Sequence, residues 1–168
     1  MRLEVRRHIW YAGMMLVLVA LHVSVVPLIS VGDAIPSLPL IGLVFIALRE
    51  GATPGMLYAF PAGLMIDLYM GEVVGISALA LVVSTFAVGL FFDAEKTARV
   101  IRSPRAVALV LLAAAIFGLI YVFAYFQSLS FDLNAILLQH VLASAVYTAV
   151  LSTIPVLILA RTGSRLKV

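Results

Sequence analysis

Asp67 is the one acid placed inside an apolar segment of this chain, in the stretch GLMIDLYMGEVVG at residues 63–75. A carboxylate among lipid-soluble side chains is costly and usually faces a protein interior or water, so it starts as a functional-site candidate. Three roles are open to it. It could accept hydrogen bonds from the free N–H groups of the next helix and gain from that helix's positive end. It could contact a partner or ligand, or it could carry a proton. Aspartyl protease chemistry needs two carboxylates sharing a proton, and no second acid lies inside an apolar segment. The sequence GISAL at residues 75–79 has a serine but no G-x-S-x-G elbow. P-loop, H-E-x-x-H and EF-hand patterns are absent. With no cysteine in the chain, thiolate nucleophiles, thiolate metal sites and disulfides are excluded. No catalytic residue, cofactor site or metal site is assigned, and the chain reads as a non-enzyme.

The three histidines, His8, His22 and His140, do not cluster. His22 falls within the first apolar segment, while Gln139 and His140 fall in the last. Inside a span, such side chains more often hydrogen-bond a neighbouring helix than bind a ligand.

Asp67 belongs to a longer stripe. Every fourth residue from Gly51 reads Gly51, Gly55, Ala59, Gly63, Asp67, Gly71, Gly75 and Leu79. Positions four apart on a helix drift by only about 40° per step, so these form a ridge without large side chains. In lipid, helices gain little by hiding apolar surface and pair through close backbone contact, which small residues permit. Gly55, Gly63, Asp67, Gly71 and Gly75 are therefore expected at a helix-packing or partner interface. Gly71 and Gly75 also suit a tight turn, and Pro61 is expected to relax the helix before Asp67.

The elements that must position this stripe follow from composition. Of 168 residues, 64% are hydrophobic and 11% charged, too few charges to cover a water-facing surface. The expected class is all-α: a polytopic membrane bundle forming a single domain over residues 1–168, with six transmembrane helices at about 9–29, 35–48, 52–70, 73–92, 106–126 and 133–160. A crossing takes about 20 residues, so segment 35–48 is short and either crosses or folds back. The N-terminal segment is too long for a signal h-region and reads as a retained helix.

Charge placement selects among topologies. With six crossings, one side receives Arg2, Arg6, Arg7, Arg49, Lys96, Arg99, Arg102, Arg105, Arg161, Arg165 and Lys167, all 11 basic residues. The opposite side holds Asp33, Glu72 and Asp132. The positive-inside rule then puts both termini in the cytoplasm. The net charge of +3 thus reports membrane orientation rather than nucleic-acid binding. Lys96, Arg99 and Arg102, spaced by threes, are candidates for contact with anionic lipid headgroups, at about 1 kcal/mol per charge. Tyr121, Phe123, Tyr125 and Phe126 read as an interfacial aromatic belt, or, with Phe131, as part of a pocket. Trp10 lies at the cytoplasmic edge.

The arrangement G-x-x-x-D-x-x-x-G-x-x-x-G-x-x-A-L, formed by Gly63, Asp67, Gly71, Gly75, Ala78 and Leu79, resembles the MreD family of rod shape-determining proteins. Length, span number and the short helices before the motif agree with it. The resemblance implies a scaffold subunit of the bacterial cell-elongation machinery in the inner (cytoplasmic) membrane. It implies an MreC-like single-span partner, and indirectly an MreB-like filament, a RodA-like polymerase and its transpeptidase. The family is similar in fold to the substrate-binding subunits of energy-coupling-factor vitamin transporters, which keeps a small-molecule-binding subunit as the alternative. If Asp67 only caps a helix, Asp67→Asn should have a mild effect, since it keeps shape and some hydrogen bonding.

Overall fold

A computed structural model describes residues 2–29, 36–71, 73–93, 100–101, 103–126 and 141–164. Among them the chain is all-helical, with α1 (Arg2–Ile29), α2 (Leu38–Glu50), α3 (Ala52–Met70), α4 (Ile76–Gly89), α5 (Pro104–Phe126) and α6 (Ala143–Ser164), and no strand. Two helices contain stretches long and apolar enough to cross a membrane, Val5–Val25 in α1 and Pro104–Ala124 in α5; the apolar helices Ile76–Gly89 and Ala143–Ile158 are shorter.

The short second helix is the centre of the bundle. Its 13 residues span about 20 Å at 1.5 Å per residue. Pro39 in its first turn is preset for a helix start, and Gly51, at φ 94°, ends it. Nearly every side chain between is inside: Leu40, Leu43, Val44, Ile46 and Ala47 are all at 0% exposure. A helix that is apolar all round is one that other helices surround, and α2 touches every other helix of the bundle. It runs antiparallel to α1, because Pro36 just before it meets His22 while Glu50 at its end meets Tyr11. Within segment 35–48, residues 38–48 are accordingly one uninterrupted helix.

The outer helices bury one face each. In α1, Tyr11, Met15, Val19 and His22 point inward at three- and four-residue spacing, while Trp10, Leu16, Val17 and Leu21 are exposed. Such broad apolar exposure suits lipid rather than water as the neighbour. Both internal prolines are absorbed: α3 continues through Pro61 and α6 through Pro155.

α3 and α4 form an antiparallel hairpin in backbone contact. A Cβ added at Gly63 would overlap the Ala78 backbone, and one added at Gly89 would overlap that of Ala52. Between them, a Cβ at Gly55 would stand 2.7 Å from the Thr85 methyl group. All three contacts follow one antiparallel register. Gly63→Ala must therefore separate the two helices, and we expect a loss on the scale of overpacking, about 1–3 kcal/mol. Gly13→Ala is the control, since nothing lies within 4 Å of its Cβ position. Thermal melting of the detergent-solubilised protein should fall for the first and hold for the second; equal melting temperatures would refute backbone contact at Gly63.

Candidate functional site

Asp67 occupies the last turn of α3 and is fully buried. Its main-chain carbonyl accepts the Gly71 N–H that closes α3. Its side chain reaches across the turn to α4, where one carboxylate oxygen accepts the Gly75 N–H at 2.7 Å and the other accepts the Ser77 N–H at 3.1 Å. Gly75 is the residue before α4 and Ser77 lies in its first turn. These N–H groups have no partner inside the helix, and a helix start attracts negative charge. One aspartate therefore ends one helix and begins the next. Among the described residues, no carboxylate, Asp67 included, lines the cavity described below.

The glycines of the stripe divide into two kinds. Gly63 and Gly55 lie where another chain segment approaches. Gly71 and Gly75 make no such approach, since a Cβ on either would meet nothing within 4 Å. Their requirement is conformational: φ is 69° at Gly71 and 106° at Gly75, a region that costs an L-residue roughly 1–2 kcal/mol.

A second polar cluster ties the start of α1 to α2 and α3. Glu50 accepts the Tyr11 hydroxyl at 3.0 Å through one oxygen and pairs with Arg7 at 3.2 Å through the other. His8 Nδ1 and the Tyr58 hydroxyl are 2.6 Å apart, and the two rings stack. Sequence reading passed over Glu50 and Tyr58. The signal was present, because the alternation of segments puts Glu50 on the same side as Arg7. Arg7 is 43% exposed, and a pair so open to its surroundings contributes little, about 0–1 kcal/mol.

Near the Asp67 turn lies a cavity of about 200 Å³ to which all six helices contribute, among others through His22, Leu40, Ile66, Ser77, Phe117 and Thr148. Thr148 is fully engaged, accepting the Ser37 N–H at 3.1 Å and donating to the Ser144 carbonyl at 2.7 Å. His22 stands in the cavity wall with its Nδ1 buried and without a partner among the described residues. Of the aromatic cluster, Tyr121 lines the cavity and stacks on Phe117 at 5.6 Å between centroids, whereas Phe123 is 71% exposed. The side chains of Tyr125 and Phe126 lie outside the described residues, as do Phe131, Gln139, His140, Asp33, Glu72, Asp132 and the candidate headgroup contacts Lys96, Arg99 and Arg102. No group of three metal-ligating side chains occurs among the described residues.

The family model of the rod shape-determining protein MreD matches residues 6–161, nearly the whole chain. The chain belongs to the MreD family. It is thus a membrane protein with a role in rod-shape determination, from a family of shape-determining proteins rather than a known enzyme family. Comparison with curated proteins and with solved structures finds no match.

Two oxygens serving two N–H donors sharpen what charge and shape contribute at Asp67. An asparagine has one acceptor oxygen, and its amide group would turn a donor toward an N–H. The mild effect expected from sequence therefore gives way to a graded one: Asp67→Asn loses one of two bonds and Asp67→Ala loses both, at about 1–3 kcal/mol for each buried donor left unpaired. Melting temperatures should fall in the order wild type, Asn, Ala. An Asn variant as stable as wild type would contradict the two-oxygen cap.

Proposed function

We propose that this MreD-family chain is a non-enzymatic inner-membrane scaffold subunit of the cell-elongation machinery, crossing the bilayer six times with both termini cytoplasmic. Its direct partner in this reading is an MreC-like single-span protein, through which it meets an MreB-like filament, a RodA-like polymerase and its transpeptidase. The observation that carries the reading is the family match over residues 6–161. The placement of all 11 basic residues on one side of a six-crossing chain supports the orientation.

The partner surface follows from what the stripe has left free. Gly63 is occupied by α4, so a partner span does not insert there. The outward face of α3 and the turn after it expose Leu68, Tyr69, Val73 and Val74 at 58–70%. Gly71 sits among them with no neighbour at its Cβ position. This small-residue notch flanked by apolar side chains suits close approach by another helix, and we place the partner's span on it.

Bound vitamin-sized molecules are the mark of the alternative reading. The cavity, at about 200 Å³, is smaller than the roughly 300–1,000 Å³ usual for drug-sized ligands, which favours the scaffold.

Because the chain has no cysteine, single cysteines report position without interference. In membranes of the native host, Leu68→Cys and Tyr69→Cys should cross-link to a single-span protein with a periplasmic domain, and Leu119→Cys on the exposed side of α5 should not. Native mass spectrometry of the gently solubilised complex identifies the partner. A chain that purifies alone and cross-links to nothing at these positions would overturn the scaffold reading. Cross-linking only through Leu119→Cys would keep the scaffold and move its surface.

A further inference from the structure

We propose that the cavity lined by all six helices is a binding site for a small, uncharged, ring-sized molecule that forms one hydrogen bond with His22 Nδ1. Three features of the cavity define this ligand. The first is the unpaired ring nitrogen. His22 is 6% exposed and stands in the cavity wall, and its Nδ1 has no partner among the described residues. An imidazole nitrogen either donates or accepts a hydrogen bond. Left buried and unpaired it costs free energy, and a ligand hydroxyl, which can do either, relieves that cost.

The second feature is the chemistry of the rest of the wall. No Asp, Glu, Lys or Arg lines the cavity among the described residues. Both Asp67 oxygens are already held by α4, and the Thr148 hydroxyl is engaged as donor and acceptor. A charged ligand would meet no counter-charge and would carry a large desolvation cost. Leu40, Ile66, Met70 and Val122 supply apolar wall, and Phe117 with Tyr121 supplies an aromatic one.

The third feature is size. A dry apolar cavity of about 150 Å³ holds benzene, so about 200 Å³ admits a single ring with one small substituent. The ligand class is thus a phenol-like or other small hydroxyl-bearing ring compound. The site is distinct from the partner surface proposed on the outward face of α3, so either proposal can fail without the other.

The test uses the full chain in lipid nanodiscs and a matched pair of probes, 4-fluorophenol and 4-fluorotoluene, followed by fluorine NMR. The two have nearly the same shape and differ in the hydroxyl group. Saturable 4-fluorophenol binding is expected in the wild type, with 4-fluorotoluene at least tenfold weaker. His22→Phe should remove that preference. Ala114→Leu, which keeps the histidine and fills the cavity wall, should abolish saturable binding of both; it also decides the matter if His22→Phe does not fold. Equal binding of the two probes to wild type would overturn the proposal. So would non-saturable partitioning indistinguishable from empty nanodiscs, or 4-fluorophenol binding that survives Ala114→Leu in the folded protein.

Discussion

The turn between α3 and α4 depends on one buried carboxylate. A helix start surrounded by apolar groups has N–H donors that neither water nor its own backbone can satisfy. Asp67 supplies both oxygens to two of them and does so from the end of the preceding helix. The hairpin is thereby fixed at one end by hydrogen bonds. Glycine does the rest of the turn, with Gly71 and Gly75 holding left-handed backbone that a side chain would strain.

Once that end is fixed, contact between backbones can hold the remainder. The register that brings Ser77 to Asp67 also brings Ala78 onto Gly63 and, farther along, Gly89 onto Ala52. In lipid there is little to gain from hiding apolar surface, so such close approach is what makes one pairing better than its neighbours. The short α2 completes the arrangement. It is too short to cover a full hydrocarbon thickness of about 30 Å, and it is buried on every side by the other five helices.

This packing leaves two regions with something still to meet. Outside, the α3–α4 turn presents Gly71 among exposed apolar side chains, the surface on which we propose that a partner helix docks. Inside, the bundle stops short of filling the space near His22, leaving an unpaired ring nitrogen beside an aromatic wall. The two lie on opposite sides of α3, and Asp67, by fixing where α3 ends and α4 begins, sets the geometry of both.

The sequence by itself determined the all-helical class and singled out Asp67 as the acid that needs an explanation. Apolar run length, charge placement and four-residue spacing are local properties, and each is written directly in the order of residues. It also marked Gly55, Gly63, Gly71 and Gly75 as special without saying why they differ. Only tertiary structure decided that Gly63 meets a backbone while Gly71 meets nothing, because spacing along one helix does not say which neighbour approaches it. Likewise, Arg7, Tyr11 and Glu50 come together from separate helices, and so do His22, Ser77, Phe117 and Thr148 around the cavity. A lone histidine in a run of apolar residues carries no sign of which of its nitrogens will find a partner. That depends on how the fold brings the other helices to the cavity wall beside it.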